Sequence, residues 1–287
     1  MEIRFCCILP QTNSMKFDTG AFIVLLCVTA FLIIGFARIG HGGYNANAHM
    51  PYPAHKQIPA RTVGQIPLPQ GFTRVGLQAG SYAEWLRNFP LRKNNTVYLY
   101  NGQPIEDQRQ HYAVLDISTG TKDLQQCADA IMRLRAEYFL AKKDYPAIVF
   151  GEGKEKMRFV DVVNQADINE QDVRPLFLQY MEKVFIHCGT YTVDAMSSPI
   201  PLSTMQPGDM FVKAGSPGHA MVVVDVATNA EGKKIYLLAQ SYMPAQDMHV
   251  VINPINPTLS PWYEVANDAE ITTPGWIFGS KQLKRWK

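Results

Sequence analysis

From Ala220 to Ala227 seven of eight residues are apolar, and four of them are valine (A-M-V-V-V-D-V-A). A run this short and this rich in β-branched side chains, entered through Pro217-Gly218, reads as a strand. Thr228 to Lys233 (T-N-A-E-G-K) is a polar turn, and Lys234 to Gln240 (K-I-Y-L-L-A-Q) is a second strand. The two form a β-hairpin. Whatever else the chain does, it must build a sheet around this pair.

Alternation along the first strand sets His219, Met221, Val223 and Asp225 on one face, and Ala220, Val222 and Val224 on the other. Six residues span roughly 20 Å, so Asp225 cannot orient His219. If Ala227 pairs with Lys234, paired residue numbers sum to about 461, and His219 lies opposite Gln240, Ser241 or Tyr242. A histidine therefore meets polar side chains at the open end of the hairpin. Gly218 before it permits close approach of a backbone or a substrate. Past Pro244 the chain returns Gln246, Asp247 and His249 to the same end, where they are candidate binding residues.

A histidine acting as general base needs a partner that fixes its tautomer, and the Gln240 side-chain oxygen can serve. Two residues are candidate nucleophiles. Cys188 lies outside any evident core, and Ser241 lies near the histidine. Cys127 falls on the apolar stripe of a helix and reads as core. That helix carries Leu124, Cys127, Ala128, Ile131, Leu134 and Tyr138 at helical spacing, with Asp123 as its N-cap and Gln126 in the capping-box position. Arg133, Arg135 and Glu137 then form a solvated face. A second helix is predicted from about Asp172 to Phe185, and short strands over Thr96–Tyr100, His111–Ile117 and Pro146–Phe150.

Composition limits the function classes. The chain is 47% hydrophobic and 18% charged, which is globular. Its formal net charge of +2 gives no basic footprint for nucleic acid. No G-x-G-x-x-G, G-x-x-x-x-G-K, H-x-x-E-H or C-x-x-C pattern is present, so no nucleotide, cofactor or metal site is predicted. Residues 21–37 are uncharged and apolar, suited to a membrane anchor or an export signal. Residues 1–44 are thus expected to be an N-terminal extension with a transmembrane or signal segment. Residues 45–70 form a Pro- and Gly-rich linker, and 71–287 a single extracytoplasmic domain. The fold class is α+β, a mostly antiparallel sheet with packed helices.

Two resemblances add to this. M-Q-P-G-D-M-F-V (Met205–Val212) followed by G-H-A-M-V-V-V-D (Gly218–Asp225) resembles the pattern of papain-like cell-wall amidases and endopeptidases. The resemblance implies a papain-like fold, His219 as catalytic histidine, Gln240 as its orienting residue and Cys188 as the match for the cysteine. It also implies a cell-wall peptide as substrate. D-L-Q-Q-C-A-D-A-I-M-R-L-R-A-E-Y (Asp123–Tyr138), S-P-G-H-A (Ser216–Ala220) and L-A-Q-S-Y-M-P-A-Q (Leu238–Gln246) resemble a bacterial envelope family with a domain of unknown function. The expectation is an envelope protein, held to the membrane by its N-terminal segment or released. It would be either a hydrolase or transferase, or a module that binds a peptide or glycan in the same cleft.

Overall fold

The computed structural model describes residues 60–166, 173–266 and 270–287. The apolar segment 21–37 and residues 45–59 of the predicted linker lie outside that range. In chain order the strands are β1 (Phe72–Arg74), β2 (His111–Val114), β3 (Val149–Phe150), β4 (Met157–Arg158), β5 (Ser197–Pro199), β6 (Met210–Lys213), β7 (His219–Asn229), β8 (Lys234–Gln240), β9 (His249–Val251), β10 (Tyr263–Glu264), β11 (Glu270–Thr273), β12 (Trp276–Gly279) and β13 (Leu283–Trp286). The α-helices are α1 (Tyr82–Arg87), α2 (Cys127–Ala141), α3 (Phe159–Ala166), α4 (Val173–His187) and α5 (Thr190–Ala195).

The β7–β8 hairpin is the centre of the main sheet, whose order is β2-β9-β8-β7-β6-β13-β5. Every pairing in it is antiparallel, with β1 and β10 added along the outer halves of β7 and β8. The α+β expectation is met. Near the turn Ala227 pairs with Ile235 and Asp225 with Leu237, but Val223 pairs with Leu238, so Val224 is an extra residue in a bulge. The bulge breaks the strict alternation. Val223 and Val226 both enter one core cluster, while Val224 and Ala227 enter the other. Asp225 turns to Arg74 and Arg87, whose Nε atoms lie 2.6 and 2.7 Å from its carboxylate oxygens.

The two faces of the sheet are both covered. Ala220, Val222, Leu237, Ala239 and Val250 pack in the main core with Ile131 and Leu134 of α2 and with Phe177 and Val184 of α4. Met221, Val223, Leu238 and Val251 pack in a second core with Phe278 and Tyr263. Burial on both faces explains the near-continuous apolar run of β7.

Four local expectations need correction. Gln126, not Asp123, caps α2, and its backbone N–H is held by the Asp129 carboxylate at 3.1 Å. Arg133 is buried rather than solvated, held by Glu137 at 2.7 Å and by the Gln125 side-chain oxygen at 3.0 Å, because α4 packs over that face. Thr96–Tyr100 makes isolated bridges and no regular strand, since its amides go partly to side chains and partly to separate loop carbonyls. The Val97 N–H goes to Gln108 and the Tyr98 N–H to Asp247. The folded region also begins before residue 71. Val63 and Ile66 are fully buried, and Trp262 donates to the Pro67 carbonyl. Among the described residues no helix is long and apolar enough to cross a membrane.

Candidate active site

His219 is the first residue of β7, and its side chain is 2% exposed. Its Nε2 lies 2.7 Å from Gln240 Oε1, across the hairpin on the same sheet face. Gln240 Nε2 lies 3.4 Å from His249 Nε2, and His249 Nδ1 lies 2.9 Å from the Asp247 carbonyl. These contacts fix one another. A carbonyl only accepts, so His249 carries its proton on Nδ1 and accepts at Nε2. Gln240 must then present its NH2 to His249 and its oxygen to His219. His219 in turn carries its proton on Nε2, which leaves Nδ1 as the basic nitrogen.

Aromatic rings enclose His219. Tyr242, Trp276 and Phe278 have ring centroids 4.9, 5.3 and 5.8 Å away. Burial therefore holds His219 at about 4, the Gln240 bond opposing this in part. Burial likewise holds His249 at about 3 against the Asp247 carbonyl. Both rings are neutral at pH 7.

Cys127 lines a cavity at this end of β7 together with Gly218, the residue before His219. This cysteine is the first residue of α2, 8% exposed and packed in the main core as its place in the helical stripe predicts. The backbone N–H groups of Ala220, the residue after His219, of Ala128 and of Cys127 itself act on its thiol. Burial pushes the thiol up and the neighbouring Asp129 adds to this, while the three N–H groups pull it down. Burial, with a smaller contribution from Cys127, pushes up the Tyr242 hydroxyl, whose ring packs on His219. The chain before α2 is tied into the fork of the hairpin, for the Gln125 carbonyl lies 3.2 Å from the Ser241 hydroxyl. The helix thereby brings its N-terminus, with amides that have no intrahelical acceptor, to the histidine end of the sheet.

The sequence-predicted residues divide. His219, Gln240 and His249 form one connected row. Gly218 sits where a Cβ would lie 2.5 Å from the Gly215 carbonyl, 2.7 Å from Thr190 Oγ1 and 2.8 Å from the Lys213 carbonyl, so the close approach there is by the protein itself. The Ser241 hydroxyl lies 2.7 Å from the Gln246 carbonyl and is buried, bound to backbone on both sides rather than to His219. Gln246 enters through that carbonyl. The Asp247 carboxylate holds Arg92 at 2.8 Å, the Tyr98 N–H at 3.0 Å and the Thr119 hydroxyl at 3.1 Å, so its carbonyl and not its side chain reaches the site. Cys188 follows the last residue of α4, and its N–H goes to the Val184 carbonyl, a helix C-terminal position that disfavours a thiolate. It lines a cavity of about 250 Å3 together with Cys127, Asp129 and Gly218. No disulfide joins Cys127 and Cys188. Among the described residues no three His, Cys, Asp or Glu side chains converge as a metal ion would require.

Sequence reasoning did not place Cys127 and Asp129 in the cavity beside Gly218. The available signal was Gln126 followed three residues later by Asp129, a reciprocal cap that starts the helix at Cys127. The structure is that of an α+β protein with a cysteine at a helix N-terminus and a buried histidine at the start of a central strand. The family model described as domain of unknown function (4846) matches residues 63–285, and the chain belongs to that family. No curated protein and no solved structure matches it, so the papain-like resemblance stands on its short motifs alone.

Proposed function

We propose that this is a thiol-dependent acyl hydrolase or transferase, with Cys127 as nucleophile, His219 as general base and Gln240 as the residue that orients the base. The observation that carries the reading is the cavity that Cys127, the first residue of α2, lines together with Gly218, the residue before His219. Cys127 takes the nucleophile's role that the papain-like resemblance gave to Cys188. His219 Nδ1 accepts the thiol proton as the sulfur attacks a carbonyl carbon. The new C–S bond leaves an oxyanion, for which the first amides of α2 are the available donors. The tetrahedral species expels an amine or alcohol that takes the proton from His219. Water, or a second acceptor, then attacks the thioester by the same route in reverse. The substrate class we favour is an amide of a cell-envelope peptide, met outside the cytoplasm. The apolar segment 21–37 and the envelope-family motifs support that location.

A second reading has one observation in its favour. The buried thiol and the buried imidazole both rest neutral, without the ion pair that activates many thiol enzymes. A module that binds peptides or glycans in the cleft would look the same at rest. Incubation of the protein with muropeptides separates the two. The hydrolase reading predicts new amino groups with the wild type and with Cys188→Ser, and none with Cys127→Ser. Release that survives Cys127→Ser but is lost in Cys188→Ser contradicts it. Peptides bound and recovered intact would establish the binding module.

A further inference from the structure

We infer that the cavity beside Cys127 is a binding site for a positively charged amino group, with the Asp129 carboxylate as its anchor. Asp129 is only 6% exposed. One of its oxygens accepts the Gln126 N–H at 3.1 Å, while the other, Oδ1, is buried with no hydrogen-bond partner. A buried carboxylate oxygen without a donor is unfavourable by itself, and a donor brought by a ligand would remove that cost. Burial pushes this carboxyl up to about 8, the change expected of an acid whose counter-ion is absent.

The cavity makes the sign of the ligand specific. Among its lining residues the charged side chains are Asp123 and Asp129, with no lysine or arginine. One Asp123 oxygen already accepts the Ala245 N–H at 2.7 Å and the Gln126 side-chain amide at 3.0 Å. Asp123 is exposed to solvent, so Asp129 is the buried acceptor left open, two residues along the helix from Cys127. The remaining walls are compact: Gly215 to Gly218 on one side, and Phe185 and Met243 on others. Because Cys127 and Asp129 line the same cavity, a group held by Asp129 would share it with a carbonyl presented to Cys127. The ligand is thus an acyl donor with an ammonium close to its scissile carbonyl, as in an aminoacyl group with a free amino end. This rests on the reading of Cys127 as a reachable nucleophile.

Two small thiol reagents of opposite charge test the site without requiring turnover. Full-length protein is treated with aminoethyl methanethiosulfonate or with sulfonatoethyl methanethiosulfonate, and adducts at the Cys127 peptide are timed by mass spectrometry. The ratio of the two rates is compared with that of a free thiol in the same buffer. At about pH 8.5, where the Asp129 carboxyl is ionised, the ammonium site predicts a preference for the cationic reagent about tenfold above the free-thiol ratio. Asp129→Asn should return Cys127 to that ratio. Equal preference at Cys127 and the free thiol overturns the ammonium site and leaves the nucleophile standing, and so does a preference that survives Asp129→Asn. If neither reagent reaches Cys127, both readings fall. The comparison within the wild type decides the matter even if the variant does not fold.

Discussion

The Asp247 carbonyl decides which nitrogen of His219 is basic. It accepts from His249 Nδ1, His249 accepts from the Gln240 amide, and Gln240 oxygen accepts from His219 Nε2. His249 is on this account a positioning residue that never touches substrate. With His249→Phe the Gln240 amide loses the partner that orients it and can turn its NH2 toward His219, which moves the proton to Nδ1. The expected outcome is a fall in kcat of about tenfold or more with KM little changed, and a displaced acid limb of the pH profile. A variant that merely loosened packing would lower stability and leave the pH profile in place. The histidine and glutamine were legible in the sequence, because alternation and one turn suffice to pair them. The cysteine was not. Asp123 has the side chain preferred at an N-cap and Gln126 does not. The helix was therefore begun three residues early, and a residue at its first position was read as interior filler.

At the level of elements the hairpin and the loop before it set the site. The expected pairing sum of about 461 holds at the histidine end, where Val222 pairs with Ala239, but near the turn it is one higher. The bulge at Val224 accounts for the step, and sequence offers no mark for it beyond Asp225 in an apolar run. That aspartate is there for Arg74 and Arg87, which fasten β1 and α1 to β7. The strand predicted at Thr96–Tyr100 failed for a related reason, since side chains such as those of Gln108 and Asp247, together with separate loop carbonyls, replaced a neighbouring strand. Gly218 tests how tightly the entry to β7 is packed. Its added methyl would meet two backbone carbonyls, which cannot swing aside as a side chain can. Gly218→Ala should lower unfolding free energy by about 1–3 kcal/mol in urea titrations and displace His219. Unchanged stability would mean that the 213–218 loop is free to shift.

Over the whole molecule the site is a set of ionisable groups held in their neutral forms. His219 and His249 take up protons only near 4 and 3, against 6.5 for the ordinary side chain. Their burial therefore favours the folded state above pH 6.5, and that stability declines as pH falls below it. Asp129 works in the opposite sense. Its carboxyl keeps its proton to about 8 against an ordinary 3.8, so its contribution is complete in acid and is lost as pH rises toward 8. Between pH 6.5 and 8 the histidines no longer titrate. The wild-type melting temperature is expected to sag across that interval, and the Asp129→Asn protein to stay level. A wild type as flat as the variant would mean that Asp129 is ionised and already paired. The central claim, that Cys127 is a nucleophile worked by His219, is tested most directly by mixing the protein with p-nitrophenyl acetate near pH 7. The acetyl group is then located by peptide mass spectrometry. The account predicts acetyl on Cys127 in the wild type and its loss in His219→Ala. Cys127 left unmodified in the wild type, or acetylated as fast in His219→Ala, would contradict it.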